Sequence, residues 1–310
     1  MVKYGKNNQG KQRWFCKDCG RIELRKRKDV TQKKYEKIAQ EWLEGYLSLN
    51  EVAEKYGTTR QNLTKKFSEI PIRVTKGKQK DLPQELILVV DAKEIEKDEV
   101  VLIVYEYISQ QVIAWSFQKR ENYASWFSLF VLLKKRYQVK AIVSDGQKGL
   151  QKAIFDVFSN IIHQRCIFHV MKFSLGKLTR KPKTEAGKDL RNIVLSLSSV
   201  YTEREAFQFQ ERFLTWERSY ASFLKEKSIN PLTGRKWYTH KSIRSVRSHL
   251  KNSLPFLFYY VDDETIPRTT NNIEGGTNSS LDERLRRHRG IQKRFKRLLV
   301  SLYLLKRRKE

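Results

Sequence analysis

The chain has 310 residues and carries 63 Lys and Arg against 34 Asp and Glu, a formal net charge of +29. Self-repulsion on that scale calls for a polyanion, so nucleic acid is the leading partner. Hydrophobic residues at 39% suffice for one sizeable α/β domain with a small appendage, which excludes a disordered basic tail. No apolar run approaches the roughly 20 residues that span a bilayer, and MVKYGKNNQG lacks the features of a secretory signal, so a cytoplasmic protein without a membrane partner is expected.

Residues 1–30 are polar and basic, hold the only C-x-x-C pair, Cys16 and Cys19, and end in RIELRKRKD. With Cys166 the cysteine count is odd, which suits a reducing compartment and metal binding better than disulfides. Residues 31–70 read as a helix-turn-helix. Tyr35, Ile38, Ala39, Trp42 and Leu43 form one helical stripe, which Gly45 stops. Ser48 or Asn50 is expected to cap a second helix, Gly57 to turn the chain, and Thr58 to cap a third. On that third helix Thr59, Arg60, Gln61, Thr64 and Lys65 are expected on the exposed side, with Arg and Gln suited to guanine and adenine edges. Residues 71–84 mix Pro, Gly and Lys and read as a linker.

Residues 85–310 read as one α/β domain. LILVVDAKEI, VVLIVYEYI and QVIAWSFQK predict an antiparallel meander. A helix at about 121–137 burying Tyr123, Trp126, Phe127, Phe130 and Leu133 follows, then the strand VKAIVS, a helix at 147–158, and a fifth strand, NIIHQRCIF, with His163 expected on its surface. From about 170 to 265 the strand signal disappears, predicting an all-α insertion with Phe207, Phe213, Trp216, Tyr220 and Phe223 as its buried stripe. A last helix presents Ile291, Phe295, Leu298, Leu299 and Leu302 on one face. Three strands, helix, strand, helix, strand is the order of a ribonuclease H-like fold.

Three acids from separate segments stand out. Asp91 interrupts an apolar strand, where an unpaired carboxylate costs several kcal/mol and so needs a cation, strong donors or a lysine partner. Asp145 follows KAIVS at the carboxyl end of a strand, where α/β sheets bind ligands, although Asp-Gly is also an ordinary turn pair. Glu274 lies in NNIEGG, where the Gly pair lets backbone approach something closely. Together they are the hard oxygen ligands that two-metal phosphoryl transfer requires.

The segment IVSDGQKGLQKAIFDVFSNIIHQRCIFHVMK resembles the block around the second catalytic Asp of Mutator-like transposases and their bacterial insertion-sequence relatives. TTNNIEGGTNSSLDERLRRHRGI resembles their third block and VVDAKEI their first, so the resemblance spans about residues 86–305. It implies a DNA transposase in which Asp91, Asp145 and Glu274 bind Mg²⁺ or Mn²⁺, nick transposon ends and direct a 3′-hydroxyl onto target DNA. Cys166 and His169 match the family's C-x-x-H motif; the residues themselves allow a zinc pair or a packed Cys beside a hydrogen-bonding His. KYGKNNQGKQRWFCKDCG resembles the second half of a zinc ribbon, and Cys16 and Cys19 supply two of the four ligands a structural Zn²⁺ needs. An upstream pair beyond Met1, a decayed ribbon and completion by another chain all remain open.

The same resemblance implies double-stranded DNA as partner, a homodimer or larger assembly to pair two element ends, and a nucleoid-associated bacterial setting. Arg284, Arg286, Arg287 and Arg289 follow Glu274 and are expected to neutralise phosphates. Trp237 is read either as a base-stacking residue of the insertion or as core. The competing reading for the whole chain is a catalytically silent, transposase-derived DNA-binding regulator.

Overall fold

The computed structural model describes residues 1–24, 28–45, 47–69, 81–288 and 291–307; the side chains of residues 28–31, 44, 272 and 274 lie outside the description. The chain divides into two compact units, Met1–Thr75 with Arg284–Leu302, and Lys76–Glu283 with Tyr303–Glu310. Among the described residues no helix is long and apolar enough to cross a membrane.

The first unit opens with a three-stranded antiparallel sheet, β1 (Val2–Lys6), β2 (Gln12–Phe15) and β3 (Ile22–Leu24). Three helices follow, α1 (Lys28–Glu44), α2 (Leu49–Lys55) and α3 (Arg60–Glu69), each packed on the other two. Ser48 caps α2 through a capping box with Glu51, and Gly57 turns the chain at φ +58°. The cap of α3 is Thr59 and not Thr58: its hydroxyl accepts the Asn62 N–H at 3.2 Å, while that of Thr58 accepts the Asn62 side-chain amide at 2.7 Å. Trp42 stacks on Phe67 at 5.5 Å and meets Phe295 edge-on at 5.9 Å, so the aromatic core of this unit includes the last helix.

The second unit is built on a mixed five-stranded sheet in the order β6-β5-β4-β7-β8. Its strands are β4 (Glu85–Glu96), β5 (Glu99–Glu106), β6 (Gln111–Gln118), β7 (Gln138–Ser144) and β8 (Ile162–Arg165). The β4–β5 and β5–β6 pairs are antiparallel, and the β4–β7 and β7–β8 pairs parallel. Helices α4 (Tyr123–Lys134) and α5 (Lys148–Val157) join Leu86, Leu88, Val90 and Ile142 in one core through Trp126, Phe130, Leu150 and Ile154. Side chains alternate along a strand, so Asp91 continues the opposite face, that of Ile87 and Val89. His163, expected on the strand surface, is buried, with Phe155 and Phe256 rings 5.7 and 5.4 Å away. A strand with neighbours on both faces has no surface side to show in its pattern.

The insertion comprises α6 (Ile167–Lys177), α7 (Glu185–Ser196), α8 (Glu203–Ser219), α9 (Ala221–Lys225), α10 (Lys241–Ser253) and α11 (Tyr259–Asp262). It is not all-α: β9 (Lys227–Ile229) and β10 (Lys236–Tyr238) form a hairpin between α9 and α10. Strands of three residues are too short for an alternation pattern to register. The stripe of α8 is also corrected, because Phe209, Phe213 and Trp216 are buried while Phe207 is 65% exposed. Spacings of three and four keep a helical face and a spacing of two leaves it. The chain ends in α12 (Ser279–Arg287) and α13 (Lys293–Lys306).

Candidate active site

The first acid lies on β4 and the second directly after β7. The parallel register of β4 and β7 pairs Leu88 with Ile142 and Val89 with Val143. Asp91 stands two residues further on within β4, and Asp145 two residues further on, directly after the end of β7. Alternation places Asp91 on the face of Val89, opposite the core of Leu88 and Val90. Both aspartates are half-buried.

Asp145 is held by the turn that follows it. Its Oδ1 accepts the Gln147 N–H at 2.9 Å, and Gly146, at φ +74°, donates its N–H to the Ser144 hydroxyl at 3.1 Å. The buried Arg165 donates from Nη2 to the Asp145 carbonyl at 3.1 Å and from Nη1 to Ser253 Oγ of α10 at 2.6 Å. A Cβ on Gly146 would stand 2.1 Å from Arg165 Nε, so glycine is required both for φ and for the guanidinium to lie against the turn. Ser144 Oγ also meets His163 Nε2 at 2.8 Å; burial, then the Arg165 charge, pushes the imidazole down to about 3.

The third acid reaches the sheet on a pinned segment. Residues Asn272–Asn278 form a single π-helical stretch packed on β4. At its end the Asn278 amide donates to Asp91 Oδ2 at 2.6 Å. Before it, Thr270 donates its N–H and its hydroxyl to Cys166 Sγ, both at 3.3 Å, and Ile167 N–H donates to the Arg268 carbonyl at 3.0 Å. Glu274 lies four residues from each pin; its side chain is outside the described residues. A Cβ at Gly275 or Gly276 meets nothing within 4 Å, so no close backbone neighbour explains the Gly pair. Lys93 closes the far end through an ion pair with Asp282 at 2.6 Å.

Cys166 is thus a buried hydrogen-bond acceptor at the head of α6, and His169 lies one turn further along the same helix, half-buried. Glu121, which no motif marks, also belongs here. It accepts the Trp126 indole N–H at 2.9 Å, and burial, with the Asp145 charge acting in the same direction, raises its carboxyl above the usual range. In KRENYASW it reads as an ordinary acid ahead of a helix. Arg165 did carry a signal, a charge inside an apolar strand that must find partners. Nothing marked Asn278 beyond its distance from Glu274.

Among the described residues no three His, Cys, Asp or Glu side chains gather as a metal-binding cluster. Asp91 on β4 and Asp145 directly after the adjacent β7 are nevertheless hard oxygen donors of the kind that fit Mg²⁺ or Mn²⁺. Cys16 and Cys19 sit in the turn from β2 to β3, where Cys16 N–H donates to the Arg21 carbonyl at 2.9 Å. The Cys19 and Asp18 backbone N–H groups lower the Cys16 thiol. Two thiols alone do not fit a structural zinc site.

Of the remaining predicted positions, Arg60, Gln61 and Lys65 are exposed on α3, while Thr64 is half-buried and its hydroxyl donates to the Arg60 carbonyl at 2.9 Å. Arg286 and Arg287 are exposed at the end of α12, and Arg284 is half-buried; Arg289 lies outside the described residues. Trp237 is on β10 and partly exposed, with Lys241 Nζ 5.7 Å from its ring centroid.

The second unit is thus a mixed α/β domain with one aspartate on β4 and another directly after the adjacent parallel strand β7, within a strongly basic chain. The chain belongs to the Mutator family of transposases: the model described as "Transposase, Mutator family" matches residues 100–298. That match takes in Asp145, Cys166, His169 and Glu274 and begins after Asp91. The chain is 26% identical over 190 residues to the transposase for insertion sequence element ISRM3 of Rhizobium meliloti (strain 1021), covering 61% of this chain and 41% of that protein. It is 24% identical over 173 residues to the transposase for insertion sequence element IS905 of Lactococcus lactis subsp. lactis (strain IL1403), covering 51% and 42%. The chain thus spans about two fifths of the length of these relatives. A simian T-cell lymphotropic virus intasome structure in complex with PP2A regulatory subunit B56 gamma aligns over 71% of this chain and 61% of its own at 11% identity and a TM-score of 0.23.

Proposed function

We propose that this chain is a DNA transposase that cuts strands at the ends of its element and joins the freed 3′-hydroxyl to target DNA, with Asp91, Asp145 and Glu274 as the acids of its site. The observation that supports this reading is the parallel register of β4 and β7, which pairs Val89 with Val143, each two residues before one of the first two acids. The sheet order β6-β5-β4-β7-β8, antiparallel in its first part and parallel in its second, supports a ribonuclease H-like domain.

Asp91, Asp145 and Glu274 would hold Mg²⁺ or Mn²⁺. When bound, such ions supply Lewis-acid stabilisation of the attacking and departing oxygens. The protein's own part is to hold the acids in place. Asn278 orients Asp91, while Arg165 and the Gly146 turn orient Asp145. The Cys166–Thr270 contact and Asn278 fix the stretch that carries Glu274. Double-stranded DNA would meet Arg286, Arg287 and Arg289 along its phosphates, with Arg60, Gln61, Thr64 and Lys65 of a helix-turn-helix reading the terminal repeats. Because two ends must be paired, the working form is a homodimer or larger assembly.

The test is cleavage and strand transfer on the element's own ends. Asp145→Ala should abolish both in Mg²⁺ and in Mn²⁺ while retaining DNA binding. Undiminished cleavage by that variant removes the assignment, and binding without cleavage by the unaltered chain leaves the regulator reading.

A further inference from the structure

The β9–β10 hairpin pairs Lys236 with Ile229, Trp237 with Ser228 and Tyr238 with Lys227. Its base is braced against the helical lobe. Thr239 N–H donates to the Glu226 carbonyl at 3.0 Å, His240 stacks on Phe223 at 3.6 Å and meets Glu226 at 2.7 Å, and the Arg244 guanidinium lies 3.5 Å from the Tyr238 ring centroid.

Its tip is equally well made. Asn230 N–H donates to the Arg235 carbonyl and Gly234 N–H to the Asn230 carbonyl, both at 2.9 Å, while Asn230 Oδ1 accepts the Leu232 and Thr233 N–H groups at 2.9 and 3.2 Å. Gly234 takes φ +63°, which closes the turn. This satisfied, rigid turn holds Leu232 out at 94% exposure, with Ile229 behind it at 55%.

A lone exposed Leu is unremarkable on a surface. Here it crowns a two-stranded ribbon whose flanks carry Lys227, Arg235, Lys236 and Lys241, and the one acid among residues 225–244, Glu226, is engaged by His240. Positive flanks around an apolar tip match the way minor-groove proteins wedge a side chain between base pairs and neutralise the adjacent phosphates. We propose that the β9–β10 hairpin is a DNA-distorting ribbon, with Leu232 as the wedge and Lys227, Arg235 and Lys236 as phosphate contacts. The proposal rests on the reading of this chain as a DNA-acting protein and adds a contact separate from the acid site.

The experiment uses the full chain and a blunt DNA duplex of unrelated sequence carrying 2-aminopurine at its TA steps. With benzoylphenylalanine in place of Leu232, photo-crosslinking to the duplex should exceed, several-fold, that from the same group in place of the exposed Tyr201. Leu232→Ser should lose the rise in 2-aminopurine fluorescence on binding while leaving the salt dependence unchanged. Lys227→Ala with Lys236→Ala should lower the slope of log affinity against log salt by about 2. A chain that binds the duplex but crosslinks no better from 232 than from 201, or keeps its fluorescence rise in Leu232→Ser, overturns the proposal, as does a chain that binds no DNA. Cleavage of element ends without the 232 crosslink removes the hairpin alone, whereas a crosslink without metal-dependent cleavage supports the hairpin and removes the proposed activity.

Discussion

The side-chain amide of Asn278 donates to Asp91 Oδ2 at 2.6 Å, across a sequence separation of 187 residues. Through this bond the stretch bearing Glu274 is tied to the strand bearing Asp91. Partners that orient ligating carboxylates typically contribute about 10- to 100-fold to metal affinity or activity. Asn278→Ala is therefore expected to lower cleavage by about that factor, with part of the loss recovered at raised Mg²⁺ and DNA binding intact. A titration of activity against metal concentration checks this; an unshifted metal requirement removes the orienting role.

Gly146 and Arg165 make a second coupled pair. Gly146→Ala places a Cβ against the guanidinium at φ +74°, combining a left-handed backbone penalty of about 1–2 kcal/mol with overpacking of about 1–3 kcal/mol. Urea denaturation should show a combined loss of about 2–5 kcal/mol. In an Arg165→Met background the steric part should shrink, leaving mainly the backbone part, and the two substitutions should be non-additive.

Cysteine chemistry offers an independent check. Cys166 is buried beneath Thr270, whereas Cys16 and Cys19 lie in an accessible turn. Cys16, whose thiol is lowered by neighbouring backbone N–H groups, should alkylate first, and Cys166 only on unfolding. Cys166→Val removes the acceptor for both Thr270 donors and should cost about 1–3 kcal/mol; Cys166→Ser, which keeps an acceptor, should cost less. Mass spectrometry of labelled peptides and denaturation midpoints measure the two effects.

The buried His163 predicts a pH window. Its folded value of about 3 lies below the ordinary 6.5, so the neutral ring is favoured in the folded state. The stability this contributes is fully present above pH 6.5 and declines as pH falls towards 3. His163→Gln cannot titrate, so its stability should fall less steeply across that interval. The comparison is of denaturation midpoints at several pH values, the difference between the chains being the quantity read; parallel curves would remove the role of His163.

Much of the architecture could be read from short-range pattern. Apolar runs marked β4, β5, β6 and β7, helical stripes marked α1 and α4, and the Ser48 and Gly57 signals marked the small helical unit, because alternation, periodicity and capping are properties of neighbouring residues. Pattern failed where elements were very short, as in β9 and β10, or buried on both faces, as in β8 with His163. Phe207 misled because an aromatic residue near a stripe is not thereby on it.

The amino-acid sequence by itself determined the positive charge, the membership of a transposase family, and three acids in separate segments. Only the tertiary structure decided what surrounds them: Val89 paired with Val143 just ahead of the first two acids, Asn278 on Asp91, Thr270 on Cys166 across 104 residues, and Arg165 between Asp145 and Ser253. Buried polar groups must find partners, and that requirement states that Arg165 and Asp91 have them without saying which. The choice follows from strand register and from the helical segments that close over the sheet, and neither is a property of adjacent residues.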